Sequence, residues 1–261
     1  MTTHDFITEL FCRIDDEMQD VAKHSQAKLW PSEVTTLAVL HALKGVGSRA
    51  FYRWLSRDYQ ILFPALPERT RLMRSFKTHW RWAQRFLAQP SLLAVIDTYG
   101  IELLHPRREG RRYGAVAAKG YSNHRWIVGI KWGVVLNHLG LIVRWAWAPA
   151  NTHDQYFQPL IEVLADHSVV FGDQGFHAAE GDPSNYKLCR RGEQNQRMVV
   201  ETVFSMLTGI SHLKKVAHRV DAYLRARLAF TVAAFNLLVQ WYGLQPNEDG
   251  FVPLSIAEFN L

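Results

Sequence analysis

At Pro90 the chain changes its period. Upstream, apolar residues recur at helical spacing; downstream they gather in β-branched runs of strand length. Residues 5–22 put Phe6, Leu10, Ile14 and Met18 on one helical stripe. Pro31-Ser32 precedes a second helix, with Ser32 as its N-cap and Val34, Leu37, Ala38 and Leu40 as its apolar side. Gly45-Val46-Gly47-Ser48 breaks the chain before a short helix, 48–57, that carries Phe51, Tyr52, Trp54 and Leu55. Pro67 opens another helix to residue 87, with Arg71, Arg74, Lys77, Arg81 and Arg85 in a basic row.

After Pro90 the predicted strands are Leu92–Asp97, Trp126–Leu136, Leu141–Ala148 and Ser168–Gly172, with a short fifth at Tyr186–Cys189. Asn137-His138-Leu139-Gly140 joins the second and third. A helix from Asn151 to Ala165 starts with Thr152 and Gln155 spaced as in a capping box. Helices follow at 194–208 and 222–241. The order describes an α/β fold: a mixed sheet with helices packed on it, preceded by an all-helical N-terminal region. The expected divisions are 1–89, helical; 90–243, sheet-bearing; and 244–261, a Pro-containing acidic tail.

A chain of 261 residues, 48% hydrophobic and 21% charged, can bury a sizeable core, which excludes a disordered or low-complexity protein. Cys12 and Cys189 lie far apart and fit no metal spacing, so both are expected as free thiols in a reducing compartment. The acidic start lacks the apolar stretch of a secretory signal. Thr231, Asn236 and Gln240 interrupt the longest apolar run, which reads as a buried helix and not as a membrane span. A soluble, cytoplasmic protein without a membrane partner is expected.

Three acids carry the chemistry. Asp97 and Asp173 close β-branched runs, so their carboxylates emerge at strand ends, and Glu201 opens a polar helix face. If the first and fourth predicted strands are neighbours, the two aspartates meet and a crossing helix supplies Glu201. Clustered carboxylates call for a cation, and hard divalent ions prefer oxygen ligands. Paired ions about 3.5–4 Å apart carry phosphodiester chemistry. Each acid also has a plainer reading. Asp97-Thr98-Tyr99-Gly100 and Gly172-Asp173-Gln174-Gly175 suit tight turns, and Glu201 suits a solvated face with Arg197 as its i, i+4 partner. Asp154, beside His153, is a rival ligand that the first turn of a helix accounts for. The histidines show no zinc spacing.

Charge is unevenly spread over a net +6. Residues 1–43 hold seven acids against three bases, and 44–85 hold ten Lys or Arg against two acids. A second basic block joins Arg107, Arg108, Arg111 and Arg112 to Lys119, and Lys214, Lys215 and Arg219 form a third. Such clusters suit the phosphate backbone of double-stranded DNA. The helix, glycine turn and basic aromatic helix over 32–57 have the form of a helix-turn-helix. Trp126, Trp132, Trp145 and Trp147 read as core or sheet-face residues before base-stacking platforms.

Four segments in order resemble the DDE transposases of bacterial insertion sequences, most of all the insertion-sequence 982 family. They are Val95-Ile96-Asp97-Thr98, Ala150-Asn151-Thr152-His153-Asp154, Gly172-Asp173-Gln174-Gly175-Phe176 and Arg197 through Ser205 with Glu201. Phe11-Cys12-Arg13-Ile14-Asp15-Asp16 adds to the likeness, which runs from residue 5 to 243. The resemblance implies a ribonuclease-H-like catalytic domain in which Asp97, Asp173 and Glu201 bind two magnesium ions, with manganese able to substitute. It implies hydrolysis at transposon ends, then strand transfer of the 3′-hydroxyl into target DNA by a homodimer or larger assembly at the bacterial nucleoid. It assigns Arg197 to the arginine that precedes the glutamate; where a related branch has a lysine seven residues after that glutamate, this chain has Thr208. The alternatives are a nuclease of the same site without strand transfer and a catalytically inactive DNA-binding derivative.

Overall fold

A computed structural model describes residues 1–105, 116–122, 125–189, 195–216, 218, 220–244, 254 and 256, with only the backbone of 195–198. The described chain divides into two compact units. One holds Met1–Phe86 and Ala222–Ala234; the other holds Leu87–Asp221 and the stretch that begins at Phe235.

The elements before the first strand are helical. Helix α1 (Thr3–Asp16) is set by a capping box between Thr2 and Asp5 and buries Phe6, Ile7, Leu10 and Ile14. It ends at Glu17, short of the predicted residue 22. Helix α2 (Pro31–Lys44) starts two residues earlier than expected. Its N-cap is Trp30, whose N–H donates to the Glu33 carboxylate at 2.6 Å. Pro31 fills the first turn, where a missing N–H costs nothing. Ser32 is therefore inside the helix and buried, not the cap. Gly45, at φ 63°, closes α2 in the left-handed region that glycine tolerates.

Helices α3 (Ser48–Asp58) and α4 (Arg69–Thr78) follow. The predicted helix to residue 87 breaks at His79, whose ring stacks on Trp82 at 4.0 Å, and continues as a 3-10 turn over Trp80–Phe86. Helix α7 (Asp221–Tyr242) gives its first part to this unit. Phe230 meets Phe76 there, and part of the basic row lies on aromatic rings: Lys77 over Tyr223, and Arg81 and Arg225 against Trp80. Among the described helices, α7 alone has the length and mean hydropathy of a membrane span, but 78% of its apolar window is buried within the protein, as a core helix requires.

The second unit is α/β. Among the described residues its six strands are β1 (Leu93–Leu104), β2 (Ala118–Ser122), β3 (Arg125–Asn137), β4 (Ile142–Pro149), β5 (Val169–Gly172) and β6 (Tyr186–Leu188). They form a mixed sheet in the order β2-β3-β1-β5-β6, with β4 also paired to β3. Asp97 does not end its strand. The sequence Thr98-Tyr99-Gly100 looks like a turn, yet it stays in the sheet because β3 pairs with it rung by rung, Thr98 with Gly133 and Gly100 with Lys131.

The helix predicted from Asn151 is a 3-10 turn (Asp154–Phe157) running into α5 (Gln158–Glu162). Thr152 donates its N–H to the Pro149 carbonyl, and no side-chain cap forms at His153. Pro159 has no N–H to continue a longer helix backward. Ala94, Ile96 and Val170 face a core with Phe157, Ile161 and Phe176 beneath α5. Over the opposite face lies α6 (Asn195–Gly209), where Tyr99 and Trp132 both meet Phe204.

Candidate functional site

Strands β1 and β5 run parallel, with Leu93 opposite Val169, Ala94 opposite Val170 and Val95 opposite Phe171. Every one of these pairs has the sequence interval that separates Asp97 from Asp173. The two acids therefore hold equivalent positions, each two residues past the last pair of the ladder. Strand alternation turns Asp97 to the face of Val95 and Tyr99, the face that α6 covers. The Asp97 Oδ1 accepts the Thr98 N–H at 2.7 Å. Asp173 Oδ1 accepts the Gly175 N–H at 2.9 Å, capping the 3-10 turn Gln174–Phe176. Turn chemistry and site geometry thus coincide at Asp173. The Tyr186 hydroxyl donates to the Asp173 carbonyl and fixes its backbone from β6.

Glu201 sits on α6 at the exposed margin of a buried stripe made by Val200, Val203, Phe204 and Leu207. That stripe lies on the sheet face to which Asp97 points: Phe204 meets Tyr99 at 5.1 Å, and Val199 lines a hollow with Val95 and Phe171. Glu201 is solvent-facing as a helix position and sheet-facing as an element.

Asp154 is closer to these acids than a mere helix-turn residue need be. Its Oδ1 accepts the Thr98 hydroxyl at 2.9 Å and pairs with Lys131 Nζ at 2.9 Å. A Cβ placed on Gly175 would lie 2.9 Å from Asp154 Oδ2 and 3.0 Å from Asp173 Oδ1, so the two carboxylates face one spot. The sequence alone does not single out Lys131. It lies mid-strand among apolar neighbours, and that isolation of a charge in a buried strand was the available signal.

The basic residues divide. Arg107, Arg108, Arg111, Arg112 and Arg219 lie outside the described residues, as does the side chain of Arg197. Lys119 is exposed on β2 and sits over the ring of Trp126. Trp126 is itself 59% exposed and pairs with Tyr121 across the hairpin, so it is no core residue; Trp132 is buried, as expected. Lys214 is exposed. Lys215 pairs with the buried Glu102 at 3.2 Å, beside Arg125 at 3.4 Å. Neither cysteine forms a disulfide among the described residues.

The donor chemistry of Asp97, Asp173 and Glu201 is oxygen only, which fits a hard divalent cation and excludes a thiolate or imidazole site. Among the described residues, no three His, Cys, Asp or Glu side chains are gathered closely enough to hold an ion as they stand. Asp97 and Asp173 are each turned to a local amide, and like charges at close range oppose further approach. The chain matches no protein-family model and no curated protein.

Proposed function

We propose that the chain is a DNA transposase of the DDE type, with a ribonuclease-H-like catalytic unit. The observation that supports this reading is the β1–β5 register, which gives Asp97 and Asp173 equivalent positions two residues past its last pair, with the helix that bears Glu201 over the face to which Asp97 points. These three carboxylates would hold two magnesium ions, or manganese in their place. Bound there, the ions supply Lewis-acid stabilisation of a phosphodiester and a deprotonated water or 3′-hydroxyl at neutral pH. Asp97 and Asp173 hold fixed positions because sheet and turn amides orient them, and Glu201 approaches from a helix anchored by Phe204. The reaction is hydrolysis at transposon ends followed by attack of the freed 3′-hydroxyl on target DNA. The partners are double-stranded DNA and a second copy of the chain.

The test is cleavage and joining of DNA that carries the inverted repeats flanking the reading frame, with magnesium. Asp97→Ala, Asp173→Ala and Glu201→Ala should each reduce both steps to background while the DNA is still bound. Full cleavage by all three variants would sink the assignment. Cleavage without joining by the wild type would identify a nuclease, and binding without cleavage an inactive DNA-binding derivative.

A further inference from the structure

The β1–β5 ladder stops at Val95 and Phe171, so nothing in that ladder sets the gap two residues further on, between Asp97 and Asp173. Asp154 links the two sides of that gap from behind, on the sheet face of Thr98 and Lys131, opposite the face of Asp97. On the β1 side its Oδ1 takes the Thr98 hydroxyl, and the N–H of the same Thr98 donates to Asp97 Oδ1. On the β5 side its Oδ2 lies against Gly175, whose N–H donates to Asp173 Oδ1. One carboxylate therefore reaches Thr98, next to Asp97, and Gly175, two residues past Asp173. Its own charge is met by Lys131 from β3, with the two side chains only 24% and 13% exposed. An anion so paired is a poor competitor for a cation and a good strut.

From this geometry we propose that Asp154 is the positioning residue of the site. It is a bracket that fixes the separation of Asp97 and Asp173 without itself holding the metal. The inference rests on the reading of those two aspartates as cation ligands. It also explains the second glycine of Gly172-Asp173-Gln174-Gly175. The space a side chain would need there is taken by the two carboxylates at 2.9 and 3.0 Å, so any Cβ must push them apart. Asp154 and Gly175 are thus two sides of one contact.

The experiment uses the full chain without metal, then titrated with manganese(II). Asp154→Ala, Thr98→Val and Gly175→Ala should each weaken manganese binding roughly 10–100-fold, the range seen when a ligand's outer partner is lost. Asp154→Asn should stay near the wild-type affinity, because an amide oxygen can still accept from Thr98 and Lys131. Hydrogen exchange on the metal-free protein supplies a second readout. Asp154→Ala should speed the amides of Thr98 and Gly175 and leave the centre of the β1–β3 ladder as slow as before. If Asp154→Asn loses the metal as completely as Asp154→Ala, Asp154 is a ligand and the inference is overturned. Unchanged exchange and unchanged affinity in Asp154→Ala overturn it too. If instead Asp97→Ala and Asp173→Ala bind manganese like the wild type, the functional reading fails, while local exchange still decides whether Asp154 is a bracket.

Discussion

The side-chain amide of Asn236 satisfies both backbone groups of Ile142: its Oδ1 accepts the Ile142 N–H at 2.9 Å and its Nδ2 donates to the Ile142 carbonyl at 2.8 Å. Asn236 lies on α7, fully buried, and in effect supplies the outer rung that β4 lacks at this point. Ile142 is buried as well, so no water can replace the amide. Its carbonyl keeps a second donor in the Ala88 N–H; its own N–H would be orphaned. Asn236→Leu should therefore cost about 1–3 kcal/mol in urea denaturation, the penalty for a buried unsatisfied donor. Asn236→Asp should cost more, since it places a carboxylate against the Ile142 carbonyl. A leucine variant as stable as the wild type would show that the pairing contributes nothing net.

Asn236 also marks where sequence reading stops. In the sequence it merely interrupts an apolar helix; its purpose depends on a strand 94 residues away, which no local pattern reports. The β-branched runs at Leu93–Asp97, Val128–Leu136 and Val169–Gly172 were legible because a buried strand must be apolar on both faces. Strand β2, Ala118-Lys119-Gly120-Tyr121-Ser122, carries no such run and exists because β3 offers it a partner. The order of Asp97 and Asp173 is readable, and the strands that precede them do adjoin. The continuation of β1 past Asp97 is not readable, since Thr98-Tyr99-Gly100 has turn chemistry that cross-strand pairing overrides. Nor is the bracket, because Lys131 and Asp154 belong to elements whose approach is tertiary.

That ion pair is separable from the site by charge balance. Lys131→Met leaves Asp154 a largely buried anion with one neutral donor, and should destabilise the chain by about 1–3 kcal/mol. Adding Asp154→Asn removes the stranded charge, so the double variant should be more stable than Lys131→Met alone. Strict additivity of the two single effects in thermal melts would mean that the 2.9 Å contact carries no coupling.

Lys214 and Lys215 are adjacent and both exposed, yet they should respond differently. Lys215 compensates Glu102, which is 8% exposed, together with Arg125. Because Arg125 remains and the Lys215 side chain is 59% exposed, Lys215→Ala should cost about 1 kcal/mol, less at high salt. Lys214→Ala should leave stability unchanged and, on the proposed function, reduce the salt dependence of DNA affinity by about one unit of slope. Equal melting temperatures for the two variants at low salt would assign Lys215 to the solvent instead of to Glu102.

Tyr186 links alkaline pH to the backbone of the site. Burial, followed by the negative charges of Asp173, Asp182 and Cys189, pushes its phenol from 10.0 up to about 12. The folded state thus favours the protonated phenol, which donates to the Asp173 carbonyl. Below the unfolded value both states are protonated and this stabilisation is fully present. Between about pH 10 and about pH 12 the unfolded chain ionises first, so the stabilisation falls away as pH rises. Tyr186→Phe removes the hydroxyl and should cost about 0.5–1.5 kcal/mol at neutral pH, with no alkaline loss of its own. The gap between wild type and Tyr186→Phe should therefore narrow from about pH 9 to about pH 11 in thermal melts. Phenolate absorbance should show one tyrosine of the folded wild type ionising late, and that step should vanish in Tyr186→Phe. If no late step is present, or if the gap widens with pH, the phenol is not held protonated against Asp173.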